Sequence, residues 1–241
     1  MKTLPKLPAR AALCGALLTL LPSCAQRVWM MVPPPFELGQ YQRIGLVEFH
    51  GSDPALCQQA TRQFQELVLE ARPGSQLVQL GGEALGEGWS PDGLDPEAAR
   101  DLAQRHGLDA VFVGALEMSK TTPTVGFSTL ATLDARAEVS GTMSARLIEA
   151  GGGATVWGRS AQDRATVASG GFDSQGDGSF AMTDPAAVRS AMVCRLAGEL
   201  THDFRARYLR KRLEDIPPGY RVTYPEGEEV YVPPEAEQSQ R

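Results

Sequence analysis

Histidine is scarce in this chain: His50, His106 and His202 are the only three in 241 residues. No two of them are spaced to share one helical face as metal ligands. Long apolar runs are missing as well. No stretch reaches the roughly 18 residues that a membrane-spanning helix needs. Positive charge is the minority sign, with 23 Lys and Arg against 29 Asp and Glu and a formal net charge of −6. An acidic body lacks the electrostatic footprint of a general nucleic-acid binder, so no nucleic-acid partner is expected. The glycine-rich stretch Gly81-Gly82-Glu83-Ala84-Leu85-Gly86 has neither the G-x-G-x-x-G spacing nor a terminal Gly-Lys-Ser/Thr. Glu83 would also repel phosphate, so the stretch is a connection rather than a cofactor cradle, and no cofactor is expected. Hydrophobic residues make up 42% and charged ones 22%, enough to build an ordinary packed core.

What is present at the start of the chain is a leader. Lys2, Lys6 and Arg10 precede the short apolar run from Ala11 to Leu21, and Leu21-Pro22-Ser23-Cys24 follows. Cations, an apolar stretch and a small residue before cysteine follow the plan of a lipoprotein signal peptide covering residues 1–23. Cys24 is then the acylated first residue of the mature chain, carrying a fatty-acyl (palmitate) anchor. Loss of three cations with the leader takes the formal charge to about −9. Ala25, rather than Asp, follows the cysteine, which under the sorting rule of proteobacterial lipoproteins places the protein at the periplasmic face of the outer membrane. Pro33-Pro34-Pro35 makes residues 24–40 an extended, lipid-anchored linker. Of the four cysteines, Cys14 leaves with the leader and Cys24 is acylated. Cys57 and Cys194 remain as a candidate disulfide in an oxidising compartment, or as two small buried apolar side chains.

From residue 41 to 213 the pattern is that of an α/β domain. Short apolar strands at Arg43 to Phe49, Ser75 to Leu80 and Leu108 to Met118 alternate with helices opened by Asp53-Pro54 and Asp95-Pro96. This predicts a parallel β-α-β-α-β core. After Lys120 the period becomes two. Residues 133–149 and 154–168 alternate around Gly151-Gly152-Gly153, which predicts a long antiparallel hairpin with a bulge or bend at Gly141. Residues 169–184 read as a loop. Thr183-Asp184-Pro185 opens a long final helix, whose stripe Val188, Met192, Leu196, Leu200, Phe204 and Tyr208 runs to a basic end and stops at Pro217-Pro218-Gly219. Residues 214–241 are a Pro-rich acidic tail, in which Tyr220 to Tyr224 and Glu229 to Val232 either pair as a small hairpin or stay extended.

Three clusters invite chemistry. His50, Ser52 and Asp53 adjoin, but neighbours in sequence do not face one another as a catalytic triad requires, and helix capping accounts for Ser52 and Asp53. Asp173, Gln175, Asp177, Gly178 and Asp184 fall at the first, third, fifth, sixth and twelfth places of a calcium loop. Against that candidate, strand and glycine precede it rather than helix, and Asp184 reads better as a helix cap. Arg205, Arg207, Arg210, Lys211 and Arg212 form a basic run. As the end of the final helix it opposes the helix dipole, and beside a membrane it is a candidate contact for anionic lipid or an acidic envelope polymer.

The order β-α-β-α-β, hairpin, helix behind a lipobox resembles the periplasmic domain family that includes the curli secretion lipoprotein CsgG, the penicillin-binding-protein activator LpoB and the N-terminal domain of TolB. The strings that carry the likeness are Arg43-Ile44-Gly45-Leu46-Val47-Glu48-Phe49, Gly107 to Leu116, Ala145 to Ala150 leading to Val156-Trp157, and Ala191-Met192-Val193-Cys194. The resemblance implies no catalytic residues, and a role as envelope adaptor, activator or secretion pore. In the pore-forming member two inserted hairpins build a β-barrel; the corresponding places here are Ser119 to Leu133 and Ser160 to Met182. Residues 124–130 alternate faintly. Residues 169–180 are mostly Gly, Ser and Asp, which departs from the pore pattern. The expectation is therefore a non-enzymatic lipoprotein adaptor for envelope assembly or export, with unidentified envelope proteins as partners. A homo-oligomeric secretion channel is the alternative, and a hydrolase with an unrecognised site is the third reading.

Overall fold

The computed structural model describes residues 27–81, 89–90, 93–129, 132–172, 178–224 and 229–234. In chain order the first elements are β1 (Arg27–Val32), β2 (Arg43–Val47), β3 (His50–Gly51), α1 (Pro54–Ala71), β4 (Gln76–Leu80), β5 (Trp89–Ser90) and β6 (Gly93–Leu94). They are followed by α2 (Pro96–His106), β7 (Ala110–Met118), β8 (Thr122–Thr129), β9 (Thr132–Glu149), β10 (Thr155–Phe172) and β11 (Gly178–Met182). The chain ends with α3 (Pro185–Thr201), β12 (Arg207–Arg212), β13 (Arg221–Thr223) and β14 (Val230–Val232). Two compact units result, one formed by Pro34–Ala206 and the other by the segments before and after it.

The larger unit is built on an eight-stranded sheet of order β11-β10-β9-β7-β2-β4, with β3 on β7 and β8 on β9. β4, β2 and β7 run parallel, and β7, β9, β10 and β11 run antiparallel. This is the expected α/β class: helices make the parallel crossovers and the glycine turn makes the long hairpin. The continuous apolar run in β7 follows from burial on both faces. Ala110, Phe112 and Leu116 join the core under α1 and α3. Val111 and Val113 join Ala99, Leu102 and Ala103 of α2 on the other side.

Local signals place the helices. The Asp53 carboxylate accepts hydrogen bonds from Ala55 N and Leu56 N at 3.1 and 3.2 Å, with Pro54 at the first helical position. Asp184 accepts from Ala186 N at 3.0 Å. α2 ends on Gly107 in the left-handed region, φ 61°, where a Cβ would be strained. The buried face of α1 is Cys57, Ala60, Thr61, Phe64 and Val68. Leu56, Leu67 and Ala71 are partly buried at its margin.

A chain of edge-to-face aromatic rings crosses the core. Phe49, Phe64 and Phe112 follow one another at centroid distances of 5.4 and 5.1 Å. Phe112 also meets Trp157 at 5.9 Å and Phe204 at 5.8 Å, and Phe204 meets Phe36 at 6.1 Å. Such pairs add to the stabilisation from area burial alone.

Several expectations are corrected. The final helix stops at Thr201 and is followed by a short 3-10 turn, His202–Phe204; the basic run from Arg207 onward is strand β12. The apolar spacing does continue through Phe204 and Tyr208. However, the core takes Phe204, and Phe36 N donates to Asp203 O at 3.1 Å, drawing the backbone out of the helix. The linker is not an extended stalk. Arg27–Val32 is a paired strand, and beyond the prolines Leu38 and Tyr41 are buried, because Val28, Met30, Leu38 and Tyr41 supply apolar surface that a solvated stalk would waste. The ladder is regular at Gly141; the shifts lie at Thr155/Trp157 and Thr166/Ala168. Gly141 is instead needed for close approach, since a Cβ there would lie 2.6 Å from Met118 Sδ and 2.8 Å from Met192 Sδ. Residues 169–172 and 178–182, read as loop, are strand.

In the smaller unit the sheet order is β12-β1-β14-β13. β1 is antiparallel to β12 and parallel to β14, and β13 and β14 pair as an antiparallel hairpin. Val28, Met30, Met31 and Val230 are buried.

Candidate interaction surface

The long strands β9 and β10 run past the packed core and there gain β8 and β11 as outer partners. The register lines up whole rows across the four strands. One row is Pro123, Ala137, Ala168 and Met182; the next is Val125, Ala135, Gly170 and Phe180; a third is Phe127, Leu133, Phe172 and Gly178. Every position in these rows is apolar or glycine. The alternate rows are Thr124, Arg136, Ser169 and Ala181, and Gly126, Asp134, Gly171 and Ser179. Directly opposed residues of antiparallel strands share a face, so Pro123, Ala135, Ala137, Ala168, Phe180 and Met182 lie on one face of this amphipathic end and Thr124, Arg136 and Ser169 on the other.

The apolar rows continue the core side of β9, where Val139, Met143, Ala145 and Leu147 are buried. On β10 continuity depends on the shift between Thr166 and Ala168. Before it, Trp157 and Ala161 are buried, as is Val167 within it; after it, Ala168 and Gly170 take over the same side, opposite Ala137 and Ala135. One extra residue thereby restores the register that would otherwise turn the apolar set outward. Phe180 and Met182 are 75% and 73% exposed. Large apolar side chains this exposed on one sheet face mark a contact surface.

The basic run divides. Arg205 Nη2 bonds Glu70 Oε2 at 2.8 Å within the larger unit. Arg207, Arg210, Lys211 and Arg212 lie on β12, whose six residues are all exposed. The Arg210 guanidinium stacks over the Trp29 ring at 5.4 Å, and Arg212 Nη1 lies 3.3 Å from Glu214 Oε1.

Cys57 and Cys194 are free. Positions 57 and 59 point about 200° apart around a helix. Cys57 faces β3, where a Cβ on Gly51 would lie 2.9 Å from its Sγ. Cys194 of α3 faces Gln59 and Gln63 instead, at 3.8 and 3.6 Å. Burial, then the charges of Asp53 and Glu48, push the Cys57 thiol up to about 11. At pH 8 only roughly one Cys57 in a thousand would be thiolate. Peptide mapping after iodoacetamide treatment of the folded protein should find Cys194 modified and Cys57 modified only after unfolding; equal labelling of both would contradict this packing.

Cys24, Asp173 and Asp177 lie outside the described residues. Asp184 serves as the cap of α3, and Asp53 as that of α1. Among the described residues no group of three or more His, Cys, Asp or Glu is arranged to hold a metal ion. Also among them, no helix is long and apolar enough to cross a membrane, which leaves β-barrels open.

One polar cluster escaped the sequence reading. Trp157 Nε1 donates to Asp203 Oδ2 at 3.3 Å, and Arg159 Nη1 is paired with Asp203 Oδ1. Partial burial raises the carboxyl's pKa, but hydrogen bonds from Arg159 and Trp157, with the charges of Arg159 and His202, outweigh it and hold the pKa below the usual Asp value. The signal lay in Trp157 and Arg159, two apart on one strand and so on one face.

No protein-family model matches the chain, and no curated protein matches it. Among solved structures, the PelC dodecamer of Paraburkholderia phytofirmans is 12% identical with a TM-score of 0.39, covering 76% of this chain and 99% of that one. Lipoprotein GNA1162 of Neisseria meningitidis is 17% identical with a TM-score of 0.33, covering 65% and 96%. The LpoB C-terminal domain of Salmonella enterica is 11% identical with a TM-score of 0.29, covering 51% and 83%.

Proposed function

We propose that this chain is a bacterial envelope lipoprotein, acylated at Cys24 and held at the periplasmic face of the outer membrane, that acts without catalysis by binding other envelope proteins during assembly or export. The observation that carries the reading is the amphipathic four-stranded end of the sheet. It presents Phe180 and Met182 to solvent at the end of a framework braced by two long strands. A rigid apolar face of this kind suits capture of a protein partner. The lipobox Leu21-Pro22-Ser23-Cys24 supports the membrane location.

The alternating rows favour a second reading, in which copies assemble side by side into a channel with the apolar rows toward lipid. Membrane strands need roughly nine to eleven residues, whereas β8 has eight and β11 five, and that ranks the channel second. Crosslinking in intact cells, followed by identification of the captured proteins, separates the two. The adaptor reading expects one recurrent heterologous partner joined through residues near Phe180. A ladder of self-linked copies, with ion conductance in planar bilayers after detergent extraction, would replace it with the channel. Mass spectrometry of the mature N-terminus should show an acylated Cys24. An unmodified terminus, or one that starts elsewhere, would remove the lipoprotein claim.

A further inference from the structure

We infer that the β1–β12 face of the smaller sheet binds the phosphate headgroups of anionic lipid in the membrane that anchors the chain. The inference rests on the lipoprotein reading. Its residues are Arg27, Trp29, Arg210 and Arg212.

Register brings these side chains together. Arg27 is directly opposite Arg212, and Trp29 opposite Arg210, so all four share one face. Like charges placed directly opposite across two strands repel. An anion between Arg27 and Arg212 turns that repulsion into attraction, and arginine matches phosphate with paired N–H donors. Stacking on Trp29 holds the Arg210 guanidinium beside that pair. Tryptophan also suits the headgroup layer, where one end of its ring system is apolar and the other wet. The contact from Arg212 to Glu214 joins side chains that are 57% and 69% exposed; pairs this exposed are weak, and Arg212 keeps donors to offer.

Chain length sets the distance. Arg27 is the third residue after Cys24, and three residues span at most about 11 Å. A lipid on Cys24 therefore brings the start of β1 to the headgroup layer, within about one Debye length of its charge. β12 carries four cations and no acid in a chain of net charge −6. The strand paired with β1, the first strand after the anchor, is thus cationic, although the chain as a whole would be repelled by an anionic surface. Cations on an edge strand also discourage unwanted sheet pairing. That accounts for β12 alone and not for Arg27, since β1 lies between β12 and β14.

The test uses the mature lipoprotein purified from cells and inserted into vesicles. One set is phosphatidylcholine, the other includes about one third phosphatidylglycerol, and trypsin cleavage after residues 207–212 is followed by mass spectrometry. Cleavage should be at least about tenfold slower on the anionic vesicles, and high salt should abolish the difference. The triple variant R27Q/R210Q/R212Q should be cut after Arg207 and Lys211 at one rate on both vesicle types. Equal cleavage of the unmutated protein on both vesicle types overturns the inference, whatever the variant does. Equal protection on phosphatidylcholine by an added soluble polyanion, such as polygalacturonate, also overturns it, because lipid would not be the ligand. Failure to float with either vesicle type is a distinct result: it would refute acylation at Cys24, and the lipid-binding inference with it.

Discussion

Replacing Phe112 with alanine should cost about 3 to 5 kcal/mol and lower the midpoint of thermal unfolding by about 10 °C. Phe112 is fully buried and its ring meets those of Phe64, Trp157 and Phe204. It lies on β7, between the parallel half of the sheet and the hairpin. Truncation would leave a cavity lined by rings from α1, β10 and the turn after α3, three elements too firmly braced to collapse into it. Phe180→Ala is the contrast. That ring is 75% exposed, so its loss should change stability by no more than about 0.5 kcal/mol while weakening partner capture. Urea denaturation of both variants checks the pair. A Phe112→Ala protein as stable as the parent would contradict the packing described for the core.

Asp203→Ala should cost about 1.5 to 3 kcal/mol at neutral pH, the range for hydrogen bonds to a charged group. The carboxylate joins Trp157 and Arg159 of β10 to the turn that ends α3, and the backbone carbonyl of the same residue holds Phe36. The effect depends on pH with a definite sign. The Asp203 pKa is lowered in the folded protein, so its contribution is fully present above the unfolded Asp value near 3.9. It is lost as pH falls below that value and through the folded one. Asp203→Asn, which keeps the shape and removes the charge, should therefore be less stable than the parent at pH 7 and at pH 5. The gap should narrow toward pH 3. Urea melts at these three values decide the matter, and a gap of constant size would show that charge at Asp203 is not what stabilises the turn.

Much of the larger unit was legible because its signals are local. Asp53-Pro54, Asp184-Pro185 and Gly107 mark helix ends through hydrogen bonds and backbone angles only a few residues wide. The unbroken apolar centre of β7 announced a strand covered on both faces. The candidate site was less legible. The rows through Phe180 and Met182 join four strands, and the alternation in β11 spans only five residues amid glycine and serine, too short a window for a period to stand out. The one-residue shift at Thr166 also breaks the parity of β10, so a fixed two-residue count reads its far half on the wrong face.

The sequence by itself determined the helix starts, the alternating hairpin about Gly151-Gly152-Gly153 and the placement of basic residues after Phe204. Only the tertiary structure decided that α3 stops at Thr201, that Arg207–Arg212 is a strand, and that Arg27 stands opposite Arg212. The physical reason is the range of the interactions. Caps, turns and periodicity act over a few residues and are written in the local string. The end of α3 is instead set by competition for Phe204 between a helical stripe and an aromatic core drawn from several elements. The pairing of β1 with β12 joins opposite ends of the chain, and its register exists only once both ends have folded into one sheet.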